Sequence, residues 1–593
     1  TGATSAATST CIAVTATTVV VTKISGNYES AGETLNGGGG RTAVATSDSV
    51  IDGASTTALH ASYNNLAADE YRADIGTVTG SGNILGIIML PDVKYAFRNN
   101  AGGTAAALFK SSTSGWTAVA LGRELSFTSG GVTEITEGQT ITGAISGATA
   151  VLTRVMLETG SWAAGTAAGR FIFASQTGNF QAENIDVGVS LNLATIAGNS
   201  TAITLSPGGR YEMLVRNFGG QSGSNRVYGV DGVNRGFEFD GTIFCPIDTG
   251  MDTDTPTHVG ENQNQLFFSF EGSAQHSGIG TPYIWTILSG ASELAVGDNI
   301  TAFKNQPGVQ AGGAFAIFSR NSTRILYGTS SADWELKTYR DEIGAYAYSV
   351  QDVGFTLFLD DRGLTNLQTT QAFGNFQHSV FSNRVKKFLN QRRTTVADSC
   401  IVRDKNQYRI FFSDDYALYV TLEGNKLVGM MPVLLGHTVK CMTSQENSDG
   451  NEEIYFGSDD GYVYQMEKGT SFDGTAIEVF ALLHFAHLKS PNIVKTFVDC
   501  LFEVRGEGYG AFNFTFELGY ASTDIPQPGV QAETVSFSAS RWDSFTWDAF
   551  TWDGTTLAPN HTDLEGDAEN ISIIIRGSSD SYVPMQFTGA LIS

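Results

Sequence analysis

The feature that most constrains this chain is a unit that recurs from about residue 84 onward: an apolar strand, a tight polar turn, then a second apolar strand. It reads as Val93–Phe97, a turn at Arg98–Gly103 and Thr104–Phe109, and again as Arg226–Gly229, Val230–Asn234 and Gly236–Phe239. Further copies are Gln265–Phe270 with Glu271–Ser273, Ala314–Phe318 with Ser319–Ser322 leading into Thr323–Tyr327, and Phe355–Leu359 with Asp360–Gly363. Tyr408–Phe412 with Ser413–Asp415 and Glu453–Phe456 with Gly457–Gly461 complete the series. Apolar residues alternate with a period of two almost throughout, which makes the chain all-β. From the second copy on, the turns recur every 40–53 residues or so. A strand-only repeat of that length is the period of a β-propeller blade, a small sheet that cannot bury both faces unless blades stack around an axis. Six or seven blades are expected.

About 130 residues separate the first copy from the second, more than two periods. The stretch Ser126–Ala197 fills that gap with its own alternating strands (Val151–Leu157, Phe171–Ala174) and glycine-bearing turns. It reads as a small independent β-barrel or sandwich placed in a propeller loop, where insertions are tolerated. The expected organisation is an N-terminal β segment over 1–83, belonging either to the propeller or to a C-terminal platform; a propeller over 84–125 and 198–476; an inserted β module over 126–197; and a C-terminal β-sandwich over 477–593. In the N-terminal segment Val19–Lys23 reads as the first strand and Gly37–Gly40 as a loop. In the last region Ile493–Val504 and Ala511–Tyr520 read as a long antiparallel hairpin.

Charge narrows the function classes. The 593 residues hold 35 Lys and Arg against 60 Asp and Glu, a formal charge of −25, which argues against a protein that grips phosphate backbones with a basic surface. Charged residues are only 16% and Gly reaches 68, so turns are many and long solvated helices few. Five scattered cysteines, Cys11, Cys245, Cys400, Cys441 and Cys500, make neither a disulfide framework nor a CxxC knuckle and read as buried free thiols. No signal-like pattern opens Thr1–Ser9, and no apolar run reaches the ~18 residues that cross a bilayer.

Paired carboxylates, the residue type that glycoside hydrolysis or calcium binding needs, occur at Asp360–Asp361, Asp414–Asp415 and Asp459–Asp460. Each pair falls at the same place in a repeated hairpin turn, where Asp favours the tight backbone, so they read as loop acids or as acids facing a lumen. Asp248, Asp252 and Asp254 before His258 lack EF-hand spacing, and His484 and His487 fall three apart on an expected strand, which sends them to opposite faces. No P-loop and no GxSxG elbow is present, so no catalytic residue, cofactor or metal is assigned. Trp542, Trp547 and Trp552 recur every five residues with Asp543, Asp548 and Asp553 beside them. They read as a contact cluster, for a sugar face, a neighbouring subunit or the edge of the C-terminal sandwich.

The runs HVGENQNQLFFSFEGSAQHSGIGTPYIW (His258–Trp285), GDNITAF (Gly297–Phe303), RNSTRILYGTSSADWELKTYRDEIGAYAYSVQDVGFTLFLDDRGLTNL (Arg320–Leu367), FGNFQHSVFSNRV and KNQYRIFF resemble the tail nozzle, or tail hub, β-propeller proteins of short-tailed bacteriophages. The resemblance covers roughly residues 84–593 and rests on spaced positions: Trp334, Ile343–Gly344, Leu359–Gly363, Gly374–Phe376 and Asn406–Arg409. SWAAGTAAG (Ser161–Gly169) in the insert is similar to a small module of phage structural proteins. The resemblance implies a non-enzymatic virion protein of the phage tail, a homo-oligomer of six chains below the portal and adaptor, meeting tail fibres or spikes, through which double-stranded DNA leaves without specific binding. An acidic wall would avoid the counterion-release affinity that a basic one gains for every phosphate. The alternative is a glycan-binding or glycan-degrading propeller, on a phage tail or secreted, that uses the Trp cluster and an acid pair.

Overall fold

The computed structural model describes residues 1–28, 32–45, 58–221, 223–287, 290–306, 314–329, 333–369, 376–380, 382, 385–424, 426–506, 510–525, 527, 533–537, 558–579 and 585–593. The chain divides into two compact units: Gly76–Met466, and a terminal unit made of Thr1–Ile75 with Glu467–Ser593.

In the first unit, seven antiparallel sheets follow one another among the described residues, and we number them as blades. Blade 1 holds Ser81–Leu90, Val93–Asn99, Ala106–Ser112 and Gly115–Ala118; blade 2 holds Glu212–Arg216, Arg226–Val230, Phe237–Phe239 and Phe244–Pro246. Blade 3 is Val259–Asn262, Gln265–Phe270, Ser273–His276 and Ser292–Ala295; blade 4 is Ile300–Asn305, Ala314–Ser319, Thr323–Tyr327 and Glu335–Arg340. Blade 5 is Gln351–Asp352, Thr356–Asp360, Gly363–Thr369 and Phe376–Val380, and blade 6 is Val396–Val402, Gln407–Phe412, Tyr416–Glu423 and Lys426–Leu434. Blade 7 has three strands, Cys441–Glu446, Glu452–Gly457 and Val463–Gln465.

Hydrogen bonds between neighbouring blades run in sequence and close on themselves. Tyr211 N donates to Leu85 O (3.0 Å), Asn305 Nδ2 to Glu261 O (2.8 Å), Thr356 Oγ1 to Gln306 Oε1 (3.1 Å) and Gln351 Nε2 to Ser399 O (2.9 Å). His258 Nδ1 meets Glu212 Oε2 at 2.7 Å, Met442 N donates to Asp398 Oδ2 (2.7 Å), and Ile84 N donates to Ser458 O (3.0 Å), which joins blade 7 to blade 1. The same seam is held by Val78 N donating to Gly461 O (3.0 Å), and Arg98 of blade 1, whose Nε donates to Gly82 O (2.9 Å) and whose Nη1 donates to Val78 O, lies against Gly461 of blade 7. Gly461, at φ 87°, makes room for it: a β-carbon there would stand 2.2 Å from the Arg98 guanidinium carbon.

The second strand of each blade is apolar on both faces because it packs against a blade on either side. Phe267 of blade 3 meets Phe315 of blade 4 at 4.8 Å between ring centroids, and Phe318 of blade 4 meets Phe358 of blade 5 at 5.0 Å. Each such ring, fully buried, contributes about 1.5–3 kcal/mol.

Between blades 1 and 2 the chain forms a nine-stranded sheet running from Arg123 to Ala202, whose core includes Phe127, Ile141, Trp162, Phe171, Phe173, Phe180 and Ile185. It is less independent than the pattern suggests. Met156 and Ile172 share a second core with Tyr95, Phe97, Phe239 and Phe244 of the blades. Arg154 Nη2 pairs with Asp240 (2.5 Å), Arg235 Nη2 with Glu124 (2.7 Å), and Arg170 Nη2 donates to Pro246 O (2.6 Å).

In the terminal unit, Glu478–Leu482, Ile571–Ser578, Gly510–Leu518 and Glu533–Phe537 form one sheet, and Ala558–Ala568, Lys495–Gly506 and Met585–Ile592 another. The expected hairpin of Ile493–Val504 with Ala511–Tyr520 is therefore corrected: the two strands belong to different sheets. Both alternate aromatic residues inward, so they face each other across a core in which Phe502 meets Phe512 (5.3 Å) and Phe514 (5.0 Å). The N-terminal part adds the hairpins Thr8–Val14 with Val19–Ser25 and Thr34–Asn36 with Thr42–Val44, and the helix Ala58–Arg72. Lys23 ties that helix down through Glu70 (3.2 Å) and Asp74 (2.8 Å).

Candidate functional site

The first strands of the blades surround a cavity of about 430 Å³ on the propeller axis. Arg210, in the segment entering blade 2, extends to Asp398 of blade 6 (Nη2 to Oδ2, 2.6 Å) while its guanidinium lies 4.4 Å from the Tyr348 ring. Asp398 also accepts from Ser399 N (2.9 Å) and Met442 N (2.7 Å). One carboxylate thus binds blades 6 and 7 to the entry of blade 2. Burial raises the Asp398 pKa against the pull of Arg210; burial acts to lower that of Arg210, and the groups around it, Asp398 foremost, together overcome burial and raise it. Tyr348 is held at φ 60°, a left-handed backbone that a bulky residue adopts only when its surroundings impose it, and burial pushes its phenol up to about 12.

Elsewhere in the cavity Glu212 pairs with His258, and Glu261 with Arg216 (2.9 Å). Burial lowers the Lys304 pKa, opposed by Asp352 and Glu212, and burial pushes the Cys441 thiol up to about 12, leaving it protonated and inert. Charges of both signs meet here and largely satisfy one another. Space of this size holds a small molecule and not a nucleic-acid duplex.

The acids singled out in the sequence lie outside this cavity, on turns between the second and third strands of blades 5, 6 and 7. Asp360 is buried and accepts from Arg362 N (2.7 Å) and Gly363 N (3.0 Å), closing its own turn. Asp361 accepts from Arg320 of blade 4 (2.7 Å) and from Tyr346 OH (2.9 Å), with Arg393 at 3.4 Å; the Arg320 hydrogen bond leads in holding its pKa down. Asp414 pairs with Arg392 (2.7 Å), Asp415 accepts from Thr438 (2.5 Å), Asp459 has Lys440 at 3.9 Å, and Asp460 accepts from Tyr464 OH (2.7 Å) with His437 at 3.3 Å. The bases come from a neighbouring blade or from the connection entering the same blade, so the acids form a belt of ties and not a ring of free carboxylates.

Trp542, Trp547 and Trp552 lie outside the described residues, as do Asp543, Asp548, Asp553, Gly374 and Asn375. Asp254 accepts from Thr249, Asp248 from Gly250, and His258 is engaged by Glu212, so these three do not converge, and no cluster of metal-ligating side chains, Asp252 included, occurs among the described residues. His484 and His487 follow the strand end at Leu482 rather than sitting on it, and His487 Nε2 meets Tyr520 OH at 2.8 Å. Four cysteines are buried as expected; Cys11 is exposed.

Sequence reasoning missed Arg210, Tyr348, Lys304 and Asp398 as residues of one site, because they lie far apart along the chain and no spacing links them. It also missed Glu238, 1% exposed in blade 2, which accepts from Arg226 (2.7 Å) and Tyr228 OH (2.8 Å) and has Arg154 of the inserted sheet at 3.8 Å.

The positions that carried the phage resemblance are framework positions. Trp334 packs on Phe267 (5.6 Å) and His276 (4.6 Å), and Ile343 O accepts from Thr323 Oγ1 (2.6 Å). A β-carbon at Gly344 would lie 2.2 Å from Ser319 O. Asn406, at φ 49°, donates to Leu422 O (2.7 Å), and Arg409, 1% exposed, lies 4.0 Å from the Tyr419 ring.

No family model matches the chain, and no curated protein matches it. Among solved structures it is similar to BBS1N in complex with ARL6DN, soaked with mercury, at 12% identity over 43% of this chain and 80% of that one, with a TM-score of 0.29. A lead-soaked counterpart gives 11% identity, 46% and 84% coverage and a TM-score of 0.29. Likeness at that level carries no argument about this chain. No helix among the described residues is long and apolar enough to cross a membrane.

Proposed function

We propose that this chain is a structural protein of a phage tail: copies of it assemble into a nozzle or short tube below the portal and adaptor, and the genome leaves through the space between copies. The observation that carries this reading is what the resembling residues do. Trp334, Gly344, Asn406 and Arg409 build blades and blade contacts, and the paired acids are spent on ties between elements, as a load-transmitting scaffold requires. Because the axial cavity is crossed by Arg210 and Asp398, the propeller's own axis is not the conduit in this reading; a ring of chains supplies it. The terminal unit offers material for such a ring, with Val479, Phe480 and Leu482 exposed on the edge strand Glu478–Leu482 and Phe587 and Leu591 on the edge strand Met585–Ile592.

Native mass measurement and electron microscopy of the purified chain, alone and with the adaptor, test this. Rings or short tubes of about six copies are expected from cyclic closure of heterologous contacts. A monomer under both conditions overturns the assembly, and release of reducing ends from host polysaccharide replaces it with the glycan-degrading alternative.

A further inference from the structure

Thr1–Asn36 of the terminal unit and Thr142–Val187 of the inserted sheet share local features that neither needs for pairing with its neighbours. TGATSAAT (Thr1–Thr8) and TGAISGAT (Thr142–Thr149) agree at six of eight positions. Each octapeptide folds into the same loop. Gly2 N donates to Ala7 O and Gly143 N to Ala148 O, both at 2.8 Å; Ala3 N donates to Thr34 O and Ala144 N to Asn184 O, both at 2.9 Å. In each loop the hydroxyl of the shared serine accepts from the alanine two residues on, at 3.1 Å for both Ser5 with Ala7 and Ser146 with Ala148.

Each loop also closes on one buried glutamate supplied from far along the chain. Glu33, 3% exposed, accepts from Thr4 N (3.1 Å), Ser5 N (2.8 Å) and Ser5 Oγ (2.7 Å). Glu183, 5% exposed, accepts from Ile145 N (2.7 Å), Ser146 N (2.7 Å) and Ser146 Oγ (2.6 Å). The correspondence extends along the pairing. Thr8 faces Ser25 as Thr149 faces Thr177, and Gly2 bridges Leu35 as Gly143 pairs with Ile185. Gly26 (φ 81°) and Gly178 (φ 79°) each lie where a β-carbon would be 3.3–3.4 Å from the same atoms of Ala7 and Ala148. An Asn and an aromatic residue follow both: Asn27–Tyr28 and Asn179–Phe180.

We infer that the two segments are copies of one β module, one in each compact unit, and that in both a single carboxylate is the positioning residue that folds the loop. Chance resemblance of two turns would reproduce backbone bonds alone. It would not also place an acid from a distant strand on the same two amides and the same hydroxyl, nor a left-handed glycine on the same alanine. The copies differ in extent. In the insert, strand Ser190–Ala197 pairs onward with Arg123–Ser129, whereas Thr42–Val44 has one partner strand among the described residues.

The test exchanges the loops within the full chain: TGAISGAT placed at Thr1–Thr8, and TGATSAAT at Thr142–Thr149, with amide hydrogen exchange read at both sites. Equivalence predicts that protection at the amides of Ser5 and Ser146 changes by no more than about fivefold in either exchange, the amount expected from swapping Ala6 and Gly147 on their left-handed backbone, whereas E33Q and E183Q each raise exchange at their own loop well over tenfold and leave the other loop unchanged. Loss of protection on exchange in a chain whose far-ultraviolet signature is intact overturns the common module. Unchanged protection in both Gln variants overturns the role of the carboxylates. Should a Gln variant fail to fold, the Ser5→Ala and Ser146→Ala pair, which removes one donor from each carboxylate, gives the same reading.

Discussion

The propeller and the terminal unit solve the same problem, all-β packing without long helices, in opposite ways. In the propeller, charged side chains are drawn inward and tied: Glu238 holds Arg226 with Arg154 close by, Asp398 holds Arg210, and Asp361 holds Arg320 of the neighbouring blade. Exposed large apolar side chains are few for its length. The smaller terminal unit holds most of them, from Val14 and Val44 through Phe480, Ile493, Val494 and Val498 to Leu591. A propeller closes on itself and has no free inner edge, so it can invest in internal polar networks. A sandwich has edges, and apolar side chains along them stay open to solvent.

The largest effect expected from breaking this contrast is at Glu238. Glu238→Leu leaves Arg226 and Arg154 facing an apolar group, and stripping one partner from a buried ion network costs about 3–5 kcal/mol. Urea unfolding of the Gly76–Met466 unit should show that loss; a change under about 1 kcal/mol would mean the network does not hold blade 2 to the inserted sheet.

Acid should act next, on the loop common to both units. Hydrogen bonds from Ser146, Ile145 and Gln181 outweigh burial and hold the Glu183 carboxyl below the ordinary glutamate range. Because its folded pKa is depressed, its contribution is fully present above the unfolded value of about 4.3 and is lost as pH falls through the folded one. Protection at Ser146, taken relative to the intrinsic exchange rate at each pH, should therefore fall only below about pH 4. Release already near pH 6 would contradict the depressed value.

Smaller is the difference between Ala6 (φ 56°) and Gly147 (φ 66°), equivalent residues on a left-handed backbone that costs a residue with a β-carbon about 1 kcal/mol. Ala6→Gly should stabilise its unit and Gly147→Ala destabilise its own by about that amount in thermal or urea melts. Effects of the same sign would separate the two loops. Smallest for stability is Phe480→Ser, an exposed position, expected to shift unfolding by less than about 0.5 kcal/mol while weakening the proposed ring in sedimentation. A large loss of stability with assembly intact would place Phe480 in the fold of its own unit.

Much of the blade framework was legible because a buried strand needs apolar residues in a short run and a turn needs Gly, Asp or Asn at set places. Asp360, whose carboxylate closes its own turn, is legible on those grounds alone. Asp361 is not, because Arg320, Tyr346 and Arg393 are brought to it by three different connections. The docking of the inserted sheet escaped for the same reason: Met156 and Ile172 alternate as any buried strand residues do, and nothing local says that they face Tyr95 and Phe239. The repeated loop was present in the letters, yet eight small residues are too common a composition to stand out until Glu33 and Glu183 are seen on equivalent atoms.

By itself the sequence determined the class of structure, the repeat length, the turns, the acidic balance and the lack of a recognisable catalytic signature, all of which follow from local preferences and counts along one chain. Only the tertiary structure decided that blade 7 closes on blade 1 through the hydrogen bonds of Ile84 to Ser458 and Val78 to Gly461, that Arg210 crosses the axis to Asp398, that the two long C-terminal strands face each other across a core, and that Thr1–Ile75 folds with Glu467–Ser593. The reason is the range of the forces. Backbone preference acts over a few residues, whereas the energy of a buried charge or ring depends on which distant group the fold places within a few ångströms of it.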